Sequence, residues 1–282
     1  MAKPLIYQTI PRGFAMSDKN NLEIHKYPRT YHLEGSNLQP GDDGMGGIAF
    51  RTLAGRHLVI EEKVDGANAA ISFDDNGNLL LQSRGHYLIG GPREKHFAMF
   101  KQWAYTHMPA FYEVLGNRYI MYGEWLYARH TVFYNHLPHY FMEFDILDTE
   151  TSTFLSTERR HALLADVPVV SVKVLGDGKY SELDTVLSMV KLSHFIKGDH
   201  VADLRALCAD LSLDPERAVA ESDTSGLMEG LYLKIEADGV VEERYKYVRG
   251  DFLTKILESN THWLSRPIIP NQLAPDVDIF AS

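Results

Sequence analysis

Between His57 and Val248 short β-branched or apolar runs alternate with turn residues, the pattern of half-buried strands. His57–Glu62, Ala67–Phe73 and Asn78–Ser83 read as strands, the last two joined by Asp74-Asp75-Asn76-Gly77, a hairpin signal. Further strands are predicted at Tyr119–Leu126, Tyr140–Leu147, Val167–Val174, Gly230–Glu236 and Glu243–Val248. Within Arg93–Leu115, Phe97, Phe100, Ala104, Met108, Phe111 and Leu115 recur at helical spacing, with Pro109 marking a break. Ser181–Lys197 and His200–Leu211 share that period, and Asp214-Pro215-Glu216 reads as an N-cap followed by a first-turn proline. Asp251–Ser259 is predicted as a last helix before a tail punctuated by Pro267, Pro270 and Pro275.

No repeat or low-complexity linker divides the chain, and 45% hydrophobic with 23% charged residues over 282 positions is globular composition. Disordered, collagenous and disulfide-scaffold classes are excluded. Cys208 is the one cysteine, so neither an internal disulfide nor a cysteine zinc site is available, and a reducing, cytoplasmic setting is expected. Met1–Arg12 lacks the apolar core of a signal peptide, and no stretch approaches the roughly 20 apolar residues of a span, so no membrane partner is expected. With 28 basic and 38 acidic residues the net charge is −10, which argues against nonspecific coating of nucleic acid but leaves room for a local basic groove.

The sharpest chemical signal is Glu61-Glu62-Lys63-Val64-Asp65-Gly66-Ala67-Asn68, a strand running into lysine, then Asp-Gly, then another strand. Alone, K-x-D-G is weak, arising by chance in about one chain in twenty of this length. Downstream, in order, come Ser83-Arg84-Gly85, Tyr122-Gly123-Glu124-Trp125, Phe141-Met142-Glu143-Phe144-Asp145-Ile146, Glu229-Gly230-Leu231-Tyr232-Leu233-Lys234 and Arg244-Tyr245-Lys246-Tyr247-Val248-Arg249. A glutamate in an apolar strand, such as Glu124, is hard to explain blandly, because burying a lone carboxylate costs several kcal/mol (about 2–7) unless it is paired. Phe144, by contrast, reads as an ordinary core residue when taken alone. A neutral lysine is a good nucleophile toward phosphorus, but at a free pKa near 10.4 only about one in a few thousand is unprotonated at pH 7. Lys234, Arg244 and Lys246, with a bound metal ion, are candidates to lower the pKa of Lys63.

These segments resemble motifs I, Ia, III, IIIa, IV and V of the covalent nucleotidyltransferases, the polynucleotide ligases and mRNA capping enzymes, across about two thirds of the chain. Within that superfamily the chain is most similar to ATP-dependent RNA ligases of the RNA ligase 2-like branch, and Lys26–Gly41 also resembles the N-terminal segment of bacterial and phage relatives. The resemblance implies an α+β nucleotidyltransferase fold, an ATP-grasp-like ligase adenylation domain of two antiparallel sheets flanked by helices, with a helical insertion near 181–223. It would span residues 1–250, leaving 251–282 as a short helix and tail. It implies Lys63 as the catalytic nucleophile that becomes adenylylated. Glu61, Glu62, Arg84, Glu124, Phe144, Glu229, Lys234, Arg244 and Lys246 would bind the nucleotide, Phe144 by stacking on adenine, and Asp65, Glu124 and Glu229 would serve the metal, Mg2+ or Mn2+. Asn68, Arg129, His130 and Arg249 would face RNA, Asn68 standing where DNA ligases typically have arginine. Asp65 departs from the branch, which often has histidine there, and Arg244 stands where lysine is common.

The implied activity joins RNA 5′-phosphate and 3′-hydroxyl ends through a lysine–AMP and an adenylylated RNA end, with ATP as the nucleotide. A GTP-dependent capping enzyme, a nicked-DNA ligase and a noncatalytic RNA-end binding protein are the alternatives; Asn68 and the 33 residues after Arg249, too few for an OB-fold, count against the first two. RNA-end recognition is then expected from the N-terminal segment, the insertion or an end-processing partner protein. His136-x-x-His139 invites a metal reading, but no cysteine is near and 13 histidines make close pairs by chance. Gly41–Gly47 lacks the order of a phosphate-binding P-loop. Arg159-Arg160 reads either as an RNA-phosphate contact or as a solvated pair at a helix start, and Tyr245 and Tyr247 as the packed face of a strand whose other face is cationic.

Overall fold

The structure, a computed structural model, describes residues 24–38, 46–252 and 267–281. Eleven strands form one connected sheet: β1 (Tyr31–His32), β2 (His57–Lys63), β3 (Ala67–Phe73), β4 (Leu79–Ser83), β5 (Tyr119–Trp125), β6 (Phe141–Asp148), β7 (Thr153–Leu155), β8 (Val170–Ser171), β9 (Val174–Lys179), β10 (Gly230–Ala237) and β11 (Val240–Val248). Their order is β4-β3-β5-β6-β7-β11-β10-β2-β9, antiparallel throughout, with β1 parallel on β11 and β8 parallel on β6. Where two antiparallel sheets were expected, the strands run as one connected path. The join is β7, whose Phe154 pairs with both Leu147 of β6 and Val241 of β11.

Each half of the sheet has its own core. On one side Phe100, Trp103, Phe111 and Leu115 of helices α1 (Ala98–Thr106) and α2 (Met108–Leu115) pack on Ile71, Met121, Trp125 and Phe141. On the other, Leu58, Ile60, Leu231, Leu233 and Tyr245 pack with Leu33 and Phe50. Each such side chain removed from water contributes about 1.5–3 kcal/mol. The break in the first helical run comes where expected, because Pro109 lies in the first turn of α2 and cannot continue α1.

Helix α3 (Thr157–Leu163) is capped by Ser156, and the insertion holds α4 (Leu183–Leu187), α5 (His200–Asp210) and α6 (Pro215–Ala220), the last capped by Asp214. The helix predicted over 181–197 is corrected to its first turns. Beyond α4 the chain is held open by long-range bonds, including Met228 N–H to the Lys191 carbonyl and the Leu192–Leu227 bridge. β9 lies past the predicted end at Val174 because its Gly-Asp-Gly hides a strand that pairs with β2. Residues 250–252 begin the predicted last helix; its remainder, like Met1–Arg12 and most of Gly41–Gly47, lies outside the described residues. Among the described residues no helix is long and apolar enough to cross a membrane.

Candidate active site

β2 ends at Lys63 and β3 begins at Ala67, so Val64-Asp65-Gly66 crosses from one half of the sheet to the other. Only glycine fits at its end: a Cβ on Gly66 would stand 2.7 Å from both the Trp125 carbonyl oxygen and the Leu126 side chain. Its N–H donates to Glu124 Oε1 at 3.1 Å, which ties the lysine loop to β5. Gly230 opposes Lys63 across β2 and β10, and a Cβ there would collide with the Tyr247 carbonyl oxygen.

Directly paired residues of adjacent strands share a face. The register therefore gathers Glu61, Lys63, Tyr232, Lys234, Arg244 and Lys246 on one face of β2, β10 and β11, and Asn68 with Glu124 on one face of β3 and β5. Tyr245 and Tyr247 take the opposite face and pack into the second core, as expected. Lys63 Nζ donates to Glu229 Oε2 at 2.7 Å. Burial pushes the Glu124 carboxyl up to about 8 and that of Glu229 up to about 7, Lys63 pulling both back and Asp65 pushing both up. Burial would lower Lys63 in turn, but Glu229 and then Glu124 outweigh it and hold the amine above its ordinary value.

β6 and β10 are not hydrogen-bonded neighbours, yet their side chains meet, so the sheet folds its two halves over a shared space. Asp145 accepts from Tyr27 Oη at 2.5 Å and Arg244 Nε at 3.2 Å, and lies 3.5 Å from Lys234 Nζ. Burial would raise Asp145, but Lys234 and Arg244 hold it below the usual carboxylate range. Lys234 Nζ also stands 2.9 Å from Glu61 Oε2 and donates to the Phe144 carbonyl. Arg160, with no exposed side chain, donates to both Glu143 oxygens at 2.6 and 2.7 Å and to Glu61 Oε1 at 2.7 Å. Phe144 is the extra residue where the β5–β6 register shifts, and its ring lies 5.1 Å from Tyr27, edge to face, and 6.3 Å from Tyr232.

This geometry corrects several expected roles. Lys234 and Arg244 do not depress Lys63, because Glu61 and Asp145 take up their charge. Glu62 turns to the opposite face and accepts from Ser193 Oγ at 2.6 Å and the His194 N–H at 3.2 Å. Asp65 anchors a loop rather than standing open to a metal: its Oδ2 accepts from the N–H groups of Thr131 and Val132 at 2.7 and 2.8 Å. His130 Nδ1 is 4.0 Å from the other oxygen. Arg129 is buried and donates to Ser222 Oγ at 2.6 Å, clamping the end of α6. Arg249 is buried too, bound to Asp223, Ser225 Oγ and the Met228 carbonyl. Neither presents its guanidinium to RNA here. Arg84 is exposed just past β4, and among the described residues no bond links it to the Lys63 cluster. His139 lies against Trp103 at 4.7 Å and burial lowers it to about 4, so it belongs to the core. Arg160 is neither a solvated residue nor a phosphate contact.

The RNA ligase family model matches residues 56–248. The chain belongs to the RNA ligase family. Three solved structures of Naegleria gruberi RNA ligase share its fold: a glutamate-to-alanine and a lysine-to-alanine variant, each with ATP and Mn, and a lysine-to-methionine variant with AMP and Mn. Each is 16% identical with a TM-score of 0.50, covering 82%, 81% and 82% of this chain. The chain spans only 58%, 57% and 59% of those ligases. No curated protein sequence matches significantly.

In this RNA ligase family member, Glu229 bonds the Lys63 ammonium and Glu124 feels its charge, so the donor set suits a hard divalent cation, although no cluster of three such ligands is preformed among the described residues. Sequence reasoning missed Glu143, Asp145 and Tyr27 as site residues, and read Arg160 only as a phosphate contact or a solvated residue. Two carboxylates flanking Phe144 in an otherwise apolar strand were the available signal, since buried acids demand partners.

Proposed function

We propose that the chain is an ATP-dependent RNA ligase built on a nucleotidyltransferase fold, whose two sheets are the two halves of the path described above. The observation that carries this is Lys63 at a strand end, within 2.7 Å of Glu229 and on one face with Lys234, Arg244 and Lys246, in a chain of the RNA ligase family. The Lys63 amine attacks the α-phosphorus of ATP, a P–N bond forms, the P–O bond to pyrophosphate breaks, and lysine–AMP remains. An RNA 5′-phosphate oxygen then takes the AMP, returning the electron pair to Lys63. A 3′-hydroxyl attacks the activated phosphate and AMP leaves.

The amine must shed its proton first. Glu229 bonds the ammonium at 2.7 Å and burial raises its carboxyl, so it is suited to receive that proton, while Glu124 acts on the amine through its charge. Glu124 and Glu229 would hold a divalent cation, whose charge would oppose protonation of Lys63 and offset phosphate charge. Lys246 and Arg244 are placed to meet the phosphates, and Phe144, partly exposed, to stack on the base. Asn68 sits opposite Glu124 on the face toward this space, where a ribose or RNA end would lie.

The test is incubation with magnesium and α-labelled ATP or GTP, beside Lys63→Ala. Acid-labile label from ATP on the wild type alone, with sealing of 5′-phosphorylated RNA, is expected. Label from GTP would move the reading to capping, sealing of DNA nicks alone to a DNA ligase, and no label from folded, unadenylylated protein to an RNA-end binding role.

A further inference from the structure

Residues 267–281 lie beyond the family match, yet they are stitched to the loop that follows Glu124. The centre of the seam is Asn271, which is 1% exposed. Its N–H donates to the Tyr127 carbonyl at 2.7 Å and its carbonyl accepts from Tyr140 Oη at 2.8 Å. Its side-chain Nδ2 donates to the Leu126 carbonyl at 2.7 Å, and Oδ1 accepts from the Tyr134 N–H at 2.9 Å. One asparagine thus uses both backbone and both side-chain groups to tie the start and the end of the 126–134 loop to each other and to Tyr140.

That loop reaches the turn that follows Lys63. Tyr134, fully buried, accepts at its Oη from the Asp65 N–H at 2.8 Å, two residues after Lys63. In return Asp65 takes the Thr131 and Val132 N–H groups, and Gly66 holds Glu124. Asn271, Tyr134 and Asp65 therefore form a hydrogen-bonded chain ending at the turn that aims Lys63. A buried residue held by four bonds transmits position well, because slackening any one leaves a buried polar group unpaired.

We propose that Asn271 is a positioning residue for lysine adenylylation, acting through Tyr134 and Asp65 to hold Lys63 and Glu124 in register; this rests on the ligase reading. Its bonds go to Leu126, Tyr127, Tyr134 and Tyr140 rather than to Lys63, Glu124 or Glu229, so its loss should slow the chemical step without loosening ATP. Displacements near 1 Å at a reacting group cost on the order of 10²-fold in rate.

The experiment compares wild type, Asn271→Ala and the milder Tyr134→Phe, which deletes one hydroxyl and keeps the packing. Single-turnover labelling by α-labelled ATP, ATP affinity by calorimetry, melting temperature and amide hydrogen exchange are measured on each. Expected in both variants are a labelling rate lowered by about tenfold or more, ATP affinity within about twofold, and faster exchange across 63–68 and 126–135 but not across α5. Labelling and exchange both unchanged in folded Tyr134→Phe and Asn271→Ala would overturn the proposal, as would ATP affinity falling in step with rate. If the wild type takes no label the ligase reading fails instead, and the exchange data still decide whether Asn271 governs the Lys63 turn.

Discussion

Replacing Arg160 with methionine removes one cation from a buried group while leaving its two acids. Arg160, Glu61 and Glu143 are each fully buried. Glu61 keeps Lys234 at 2.9 Å, but among the described residues Glu143 keeps only the Ser171 hydroxyl at 2.7 Å. Breaking a buried pair from one side costs about 3–5 kcal/mol, because a charge is stranded out of water. At about 2–4 °C per kcal/mol for a domain of this size, the melting temperature should fall on the order of 10 °C near pH 8. The sign of the pH dependence follows from Glu61, which burial already holds above its ordinary 4.5 even with Lys234 and Arg160 opposing. Without Arg160 its folded pKa rises further. A group with a raised folded pKa stabilises below its unfolded value and loses that contribution as pH climbs through the folded one. The deficit should therefore shrink toward pH 5 and widen toward pH 8, and Glu143→Gln in the same chain should recover part of it. Scanning calorimetry at both pH values is the assay. A deficit under about 2 °C at pH 8, or one that grows as pH falls, would refute the reasoning.

Glu229→Gln removes the largest influence raising Lys63, so the amine's pKa should drop; each unit multiplies the free-base fraction about tenfold. An amine-directed acylating reagent at pH 8, without metal or nucleotide, should label Lys63 several times faster, as read by peptide mass spectrometry; equal rates would contradict the pairing. Phe144→Ala should weaken binding of ATP by about 1–3 kcal/mol if the ring stacks on the base, and calorimetric affinity within twofold of wild type would place the base elsewhere. Gly66→Ala forces a Cβ against backbone at Trp125, which cannot rotate away, so a loss of about 1–3 kcal/mol in stability together with slower labelling is expected. A variant as stable and as fast as wild type would show that the Lys63 turn relaxes freely.

The strands that bear the motifs were legible in the sequence because each is a short apolar run bounded by turn residues. Ala67–Phe73 is observed with its predicted bounds, and the register that puts Lys63, Lys234 and Lys246 on one face follows from alternation along β2, β10 and β11. Lys63 drew notice for the same local reason, a lysine between a strand and Asp-Gly, but that one segment is weak alone and its candidate role as nucleophile came from the resemblance of the whole ordered set of segments. What sequence periodicity does not contain is which face of one strand meets another far along the chain. Glu62 and Lys63 are adjacent, yet one serves the insertion and the other the cleft. Arg129, Arg160 and Arg249 look alike as surface cations, and only the folded chain shows each neutralising or clamping buried partners. Charge placement was likewise a tertiary decision: the cations expected to lower Lys63 are absorbed by Glu61 and Asp145, and the lysine's environment is set by Glu229 and Glu124, far apart in sequence and brought together by the fold of the sheet. Local pattern reports what a residue is able to do. Long-range packing, which orders the chain only by burying groups that must then be paired, determines which of those abilities is used.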